Sequence, residues 1–266
     1  MINLTTAPAL VRLNGVTMHY GRGRHAVQAI DTVTLDIKKG EIIAVVGPSG
    51  CGKSSLMKLI SGLHPASAGT VLVEDKPVKG PLKSVGMAFQ ASNLLPWRKV
   101  IDNVLLPLEI VQPHRSRIRS ERAMYRAKAE ALLAQVGLAG FTDKFPWQLS
   151  GGMQQRTSIC RALIHEPEIL MLDEPFGALD AFTREELWCT LRDIQAERHV
   201  TVMLVTHDLR EAVFLADTVY VMSNRPGRIL KRCEVNIARP RDLEVTYTQP
   251  FQDIVHELRS LIGGKH

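Results

Sequence analysis

Short, almost unbroken hydrophobic runs recur along this chain, each followed by a turn signal. EIIAVV (41–46), EILML (168–172) and VTVMLV (200–205) have the composition of strands buried on both faces. TVYVM (218–222) and VGMAF (85–89) read as further strands. Helical segments fall between these runs, which predicts an α/β fold with a mostly parallel sheet and crossover helices. The first forty residues differ: VRLNGVTMHY (11–20) and AIDTVTLDI (29–37) alternate only in part, as an N-terminal β-rich flank does. Between 91 and 150 nothing strand-like interrupts. There ERAMYRAKAEALLAQVGL (121–138) sets Met124, Ala127, Ala131, Ala134 and Leu138 three or four apart, predicting the apolar stripe of an amphipathic helix. That region reads as a helical lobe inserted into the core, and PFQDIVHELRSLI (250–262) as a closing helix.

Composition narrows the class. A chain of 266 residues with 45% hydrophobic and 23% charged positions has the make-up of an ordinary globular protein. It is long enough for one large domain over 1–266, with an α/β core at 8–90 and 151–235. The helical lobe then occupies 91–150 and a C-terminal extension 236–266. Cys51, Cys160, Cys189 and Cys233 lie far apart without paired spacing, which argues against a disulfide framework or zinc site and suits a reducing cytoplasm. MINLTTAPAL has neither a basic start nor a sustained apolar stretch, and no apolar run approaches the ~20 residues of a membrane helix. The net charge of +6 concentrates in RSRIRSERAMYRAK (115–128) and RPGRILKR (225–232). Such charge admits nucleic acid or an anionic membrane as partner, and a solvated helix face accounts for the first cluster equally well.

Chemistry enters with GPSGCGKSS (47–55), which fits G-x-x-x-x-G-K-[ST] between an apolar run and a helical one, KSSLMKLISGL. In that context Gly47, Pro48, Ser49, Gly50, Cys51 and Gly52 turn backbone N–H groups toward the phosphates of ATP at a helix start. Lys53 reaches the β- and γ-phosphates, Ser54 offers Mg²⁺ a hydroxyl, and Ser55 completes the loop. ILMLDEP (169–175) ends a buried strand in two carboxylates, which on an extended stretch face opposite ways and take separate roles. Asp173 is read as holding Mg²⁺ through water, and Glu174 as orienting and deprotonating an attacking water. His207 closes VTVMLVTH at a strand end, placed to donate to a γ-phosphate oxygen. Gln90, after VGMAF, offers an amide to metal or water, and Tyr20 a ring to a base. LSGGMQQR (149–156) supplies a second anion-accepting helix start at Ser150, Gly151 and Gly152. Since one phosphate loop already serves one nucleotide, this start is read as serving the ATP of a second copy, head to tail.

Taken in order, GPSGCGKSS, Gln90, LSGGMQQR, ILMLDEP, ALD (178–180) and TH (206–207) resemble the ATPase subunit of an ABC transporter over about residues 10–230. The resemblance implies an ATP-dependent homodimer with Asp180 in the loop that faces the other copy. It implies transmembrane permease subunits gripped by the segment after Gln90 and the helical lobe, and a substrate-binding protein reached only indirectly. It also implies a peripheral position on the cytoplasmic face of the inner membrane. NLLPWRKVIDNV (93–104) and SNRPGRI (223–229) resemble the nitrate/sulfonate/taurine importer branch and make Trp97 a candidate permease contact, while Arg98-Lys99 departs from the branch pattern. The alternatives are an ATPase of another importer or exporter branch, or a nucleic-acid-linked relative. The latter's long coiled coil between phosphate loop and signature is missing from this sequence, so no nucleic acid is expected.

Overall fold

A computed structural model describes residues 8–21, 23–177 and 179–263. Residues 1–7, Ala178 of the ALD triplet and the last three residues of the C-terminal extension lie outside the described residues. The chain divides into two compact units, one made of residues up to Leu82 together with those from Gln195 onward, the other of Lys83–Ile194.

The first unit opens with β1 (Ala9–Tyr20) and β2 (Val27–Lys38), the expected flank, paired antiparallel. After β3 (Ile42–Val46) and α1 (Lys53–Ile60) come β4 (Ala68–Val73) and β5 (Lys76–Pro77), which extend the flank in the order β2-β1-β4-β5. The hydrophobic pattern gives no warning of β4, because its first three residues, Ala68, Gly69 and Thr70, are exposed.

The second unit runs through β6 (Val85–Ala88), α2 (Val100–Leu105), α3 (His114–Arg117), α4 (Arg122–Gln135), α5 (Gly151–Leu163), β7 (Ile169–Asp173) and the start of α6 (Ala181–Arg198). β6 and β7 are parallel, with Ala88 opposite Leu172. Helix α5 packs on β6 and α2, and α4 packs on α2 and α5. Residues 91–150 contain no strand, as expected, and consist of helices joined by turns and irregular loops. The face of α4 is not as expected. Met124 is 52% exposed and Ala127, Ala131 and Ala134 are also on the outside, whereas Tyr125, Ala129, Leu132 and Leu133 are buried. Both sets have helical spacing. The buried one carries a tyrosine and two leucines, so turning it inward removes far more apolar area from water than alanines can. Leu138 is buried, but beyond the helix end.

The chain then returns to the first unit with β8 (Thr201–Val205), α7 (Leu209–Leu215), β9 (Thr218–Met222), β10 (Ile229–Glu234) and α8 (Gln249–Gly263). Strands β8 and β9 flank β3 in parallel, and β10 closes that edge antiparallel to β9. Every residue of β3, β8 and β9 is buried, which is why their sequences show no alternation. The extension beyond 235 is attached by Arg241, whose Nη1 donates to the carbonyls of Val213 (2.9 Å), Phe214 (3.0 Å) and Ala216 (2.7 Å) at the end of α7. A cation suits those unpaired, negatively polarised carbonyls. Burial lowers the pKa of this guanidinium to about 10. Helix α8 adds Phe251 and Leu258, both fully buried.

Candidate functional site

In the first unit the loop after β3 runs from Gly47 into α1. Gly52 caps that helix at φ 108°, and a Cβ there would meet the Ala29 carbonyl oxygen and Ile30 Cδ1 at 2.8 Å each, so only glycine fits the turn. Lys53, the first residue of α1, folds back into the loop. Its Nζ donates to the carbonyls of Gly47 and Pro48, both at 2.9 Å, and the residue is 6% exposed. Among the described residues no carboxylate forms an ion pair with it. A buried ammonium held only by carbonyl oxygens calls for an anion, and a triphosphate fits that demand. Cys51 is buried, and burial raises its thiol pKa; its part in the loop is packing plus a backbone amide.

Parallel pairing sets Val45 opposite Val205, and the Thr206 amide donates to the Val45 carbonyl at 3.2 Å. Gly47 and His207 therefore stand at the same carboxyl edge, each two residues past that pair. His207 is exposed there, and Asp208 behind it caps α7 through the amides of Arg210 and Glu211. Tyr20 joins this group: its hydroxyl lies 3.2 Å from Ser55 Oγ, and its ring meets His64 edge-on at 5.1 Å, with Lys58 Nζ 5.6 Å from its centroid.

The second unit holds the remaining candidates. Gln90 and Glu174 each lie two residues past the paired Ala88 and Leu172. Glu174 is not extended, as the sequence reading had it. β7 stops at Asp173, and Glu174 adopts φ 47°, a left-handed conformation that costs a non-glycine residue about 1–3 kcal/mol. Ser150 caps α5, its Oγ accepting from the Met153 amide at 3.3 Å. Gly152 is packed from within, since a Cβ would stand 3.2 Å from Thr183 Cγ2. At Gly151 a Cβ would meet nothing within 4 Å among the described residues. Asp180 accepts from the Thr183 amide at 3.1 Å at the start of α6, and that donor holds its carboxyl below the ordinary range.

What the sequence reading missed is how the Gln90 loop is held. Arg161 on α5 donates from Nη1 to the Asn93 carbonyl (2.8 Å) and from Nη2 to the Ser92 carbonyl (2.6 Å). Gln155 donates to the Phe89 carbonyl (2.9 Å), and Ser92 Oγ to Gln154 Oε1 (3.1 Å). The helix that begins at the signature thus fixes 89–93 by its own side chains. Further on, the buried Asn103 amide binds the carbonyls of Leu95, Arg98 and Lys99 at 3.1 Å each and accepts from the Leu95 amide at 2.7 Å. That turn presents Trp97 at 71% exposure, so its ring is not packed into the core. The only advance signal was the row of polar residues on α5. If Gln90 serves metal or water as the sequence reading has it, Arg161→Met is expected to lower kcat for ATP hydrolysis on the order of tenfold while KM for ATP stays within about twofold, because misplacing that loop costs orientation rather than binding. Arg161→Lys should recover part of the loss. An unchanged kcat, or a KM that rises in step with the fall, would show that the tie does not position the loop.

Comparison with known proteins gives a consistent picture. The family model described as ABC transporter matches residues 30–177. The taurine import ATP-binding protein TauB of Yersinia pseudotuberculosis is 42% identical over 230 residues, covering 86% of each chain. The aliphatic sulfonates import ATP-binding protein SsuB of Bacillus licheniformis is 41% identical over 222 residues, covering 84% of this chain and 83% of that one. Among solved structures, the dimeric post-hydrolysis state of the ATP-binding cassette MJ0796 bound to ADP and Pi superposes with a TM-score of 0.72 at 30% identity. It covers 86% of this chain and 100% of that one. The cbiO1 structure from Clostridium perfringens, part of the ABC transporter complex cbiONQ, gives 0.74 at 25% identity over 94% and 99%.

Proposed function

The chain belongs to the ABC transporter family, and from that premise we propose that it is the ATP-hydrolysing subunit of a membrane importer for small anions such as taurine, other sulfonates or nitrate. The observation that carries the nucleotide assignment is Lys53, a buried ammonium in a phosphate loop with no ion-paired carboxylate among the described residues. The anion class rests on the relatives that import taurine and aliphatic sulfonates.

The roles follow from chemistry. Tyr20 offers its ring to the base, and the backbone from Gly47 to Ser55, with Lys53, binds the phosphates. Ser54, Gln90 and Asp173 are the residues we assign to Mg²⁺, whose chemistry, when bound, is to neutralise charge on the phosphate oxygens. Glu174 takes a proton from the attacking water, and His207 donates a hydrogen bond to a terminal phosphate oxygen. Ser150, Gly151, Gly152 and Asp180 serve the nucleotide of a second copy. Gly151 supports this: neither a positive φ nor a neighbour among the described residues calls for glycine there, which leaves close approach by a second copy as its use. Exposed Trp97 is assigned to a permease subunit, through which the ATPase, peripheral on the cytoplasmic face of the inner membrane, indirectly serves a substrate-binding protein. Among the described residues no helix is long and apolar enough to cross a membrane, and the spanning is assigned to the permease subunits.

The test is dilution. If two copies share each nucleotide, turnover per molecule at saturating Mg-ATP falls as the protein is diluted below its dimerisation range. A strictly monomeric preparation that hydrolyses ATP at the concentrated rate would exclude the shared site.

A further inference from the structure

The basic stretch 115–128 lies in the helical lobe that the resemblance turns toward the permease, but none of its charges carries a role above, and they are not alike. Arg126 pairs with Glu130 at 2.9 Å and Lys128 with Glu166 at 2.8 Å. Arg115, Arg119 and Arg122 have no carboxylate partner among the described residues. All three are exposed, and they line one hollow of about 840 Å³ in the second unit, a volume in the range of small-ligand sites. Leu105 and Tyr125, both buried, and the half-buried Ile118 form its apolar wall.

Two carboxylates also border the hollow, against three arginines. Glu109 accepts from Arg98 at 2.8 Å, so its charge is matched by a fourth guanidinium. Asp102, in the first turn of α2, acts with Glu109 on the same Arg98 guanidinium, so the hollow keeps a net positive charge from its three arginines. Arg122 opens α4, whose uncapped amide end adds to the positive potential, while the Glu121 carboxylate before it reaches Tyr125 and is opposed there by Arg117. Three like charges around a partly apolar concavity repel one another, and the low-dielectric wall focuses their field on what enters. An oxyanion relieves that repulsion. The planar guanidinium fork matches phosphate oxygens two at a time, which an ammonium cannot do.

We infer that this hollow binds a phosphate group, carried either by an anionic lipid headgroup or by a soluble phosphate compound. The site is separate from the phosphate loop and does not depend on the ATPase assignment.

Two arms distinguish the sources. In the first, inorganic phosphate is titrated into the full chain and into Arg115→Gln/Arg119→Gln/Arg122→Gln. The phosphate loop is intact in both, so the difference belongs to the hollow. The parent should show a site whose affinity falls at least about tenfold in the variant, one charge-assisted fork being enough for that factor, with ATP affinity and melting temperature unchanged. In the second, both proteins are floated with phosphatidylglycerol–phosphatidylcholine (1:3) vesicles and with pure phosphatidylcholine vesicles at about 0.15 M salt, where diffuse attraction is screened. Flotation of the parent alone with the anionic vesicles assigns the phosphate to a headgroup, and phosphate binding without flotation assigns it to a soluble ligand. Equal behaviour of parent and variant in both arms overturns the site. So does undiminished phosphate binding by Arg115→Lys/Arg119→Lys/Arg122→Lys, which keeps the charge and removes the forks.

Discussion

Glu174→Gln is expected to bind ATP as the parent does and to hydrolyse it about 10²–10⁴-fold more slowly, the usual contribution of a positioned general base. The amide is nearly isosteric, so the left-handed turn at φ 47° is kept and only the ability to accept a proton is lost. Because the terminal phosphate then persists between two copies, the variant should also elute as a dimer with Mg-ATP and as a monomer with Mg-ADP. Single-turnover hydrolysis alongside size-exclusion chromatography checks both halves. Hydrolysis at the parent rate would remove Glu174 from the chemistry, whereas slow hydrolysis with no change in association would leave its role intact and sink the shared nucleotide.

Lys53→Ala should act one step earlier. Removing a buried, charge-assisted partner of the phosphates is expected to weaken ATP binding roughly 10²-fold. The loss has an internal part as well, since the carbonyls of Gly47 and Pro48 give up their donor and the loop loosens before any nucleotide arrives. Lys53→Arg should rescue little: a planar guanidinium does not fit a space where one nitrogen sits 2.9 Å from two carbonyl oxygens. Equilibrium binding of a fluorescent ATP analogue measures this directly. An alanine variant that binds as tightly as the parent would leave the buried ammonium without its assigned anion.

The legible parts of the fold were those whose signal is dense and local. Ile42–Val46, Thr201–Val205 and Thr218–Met222 are five-residue runs with every side chain buried, and the hydrophobic pattern located each to within a residue. Strand β10 went unread because ILKRCE carries only one buried side chain, Cys233, and its pairing with β9 is a backbone matter. The α4 face was misread because two helical stripes coexist in the sequence, and the side chains that packing selects depend on what α2 and α5 present.

The same division runs through the site. By itself the sequence determined the groups whose placement is set within a few residues: the glycine turn that brings Lys53 under Gly47, the Ser150 cap, the acidic pair closing β7. Their geometry follows from backbone conformations and nearest-neighbour hydrogen bonds, which short motifs encode. Only tertiary structure decided what crosses tens of residues. It set Val45 beside Val205 and Ala88 beside Leu172, turned Glu174 out of its strand, and carried Arg161 to the carbonyls of Ser92 and Asn93. Register and long-range hydrogen bonds depend on burial summed over elements far apart in the chain, and no window of sequence contains that sum.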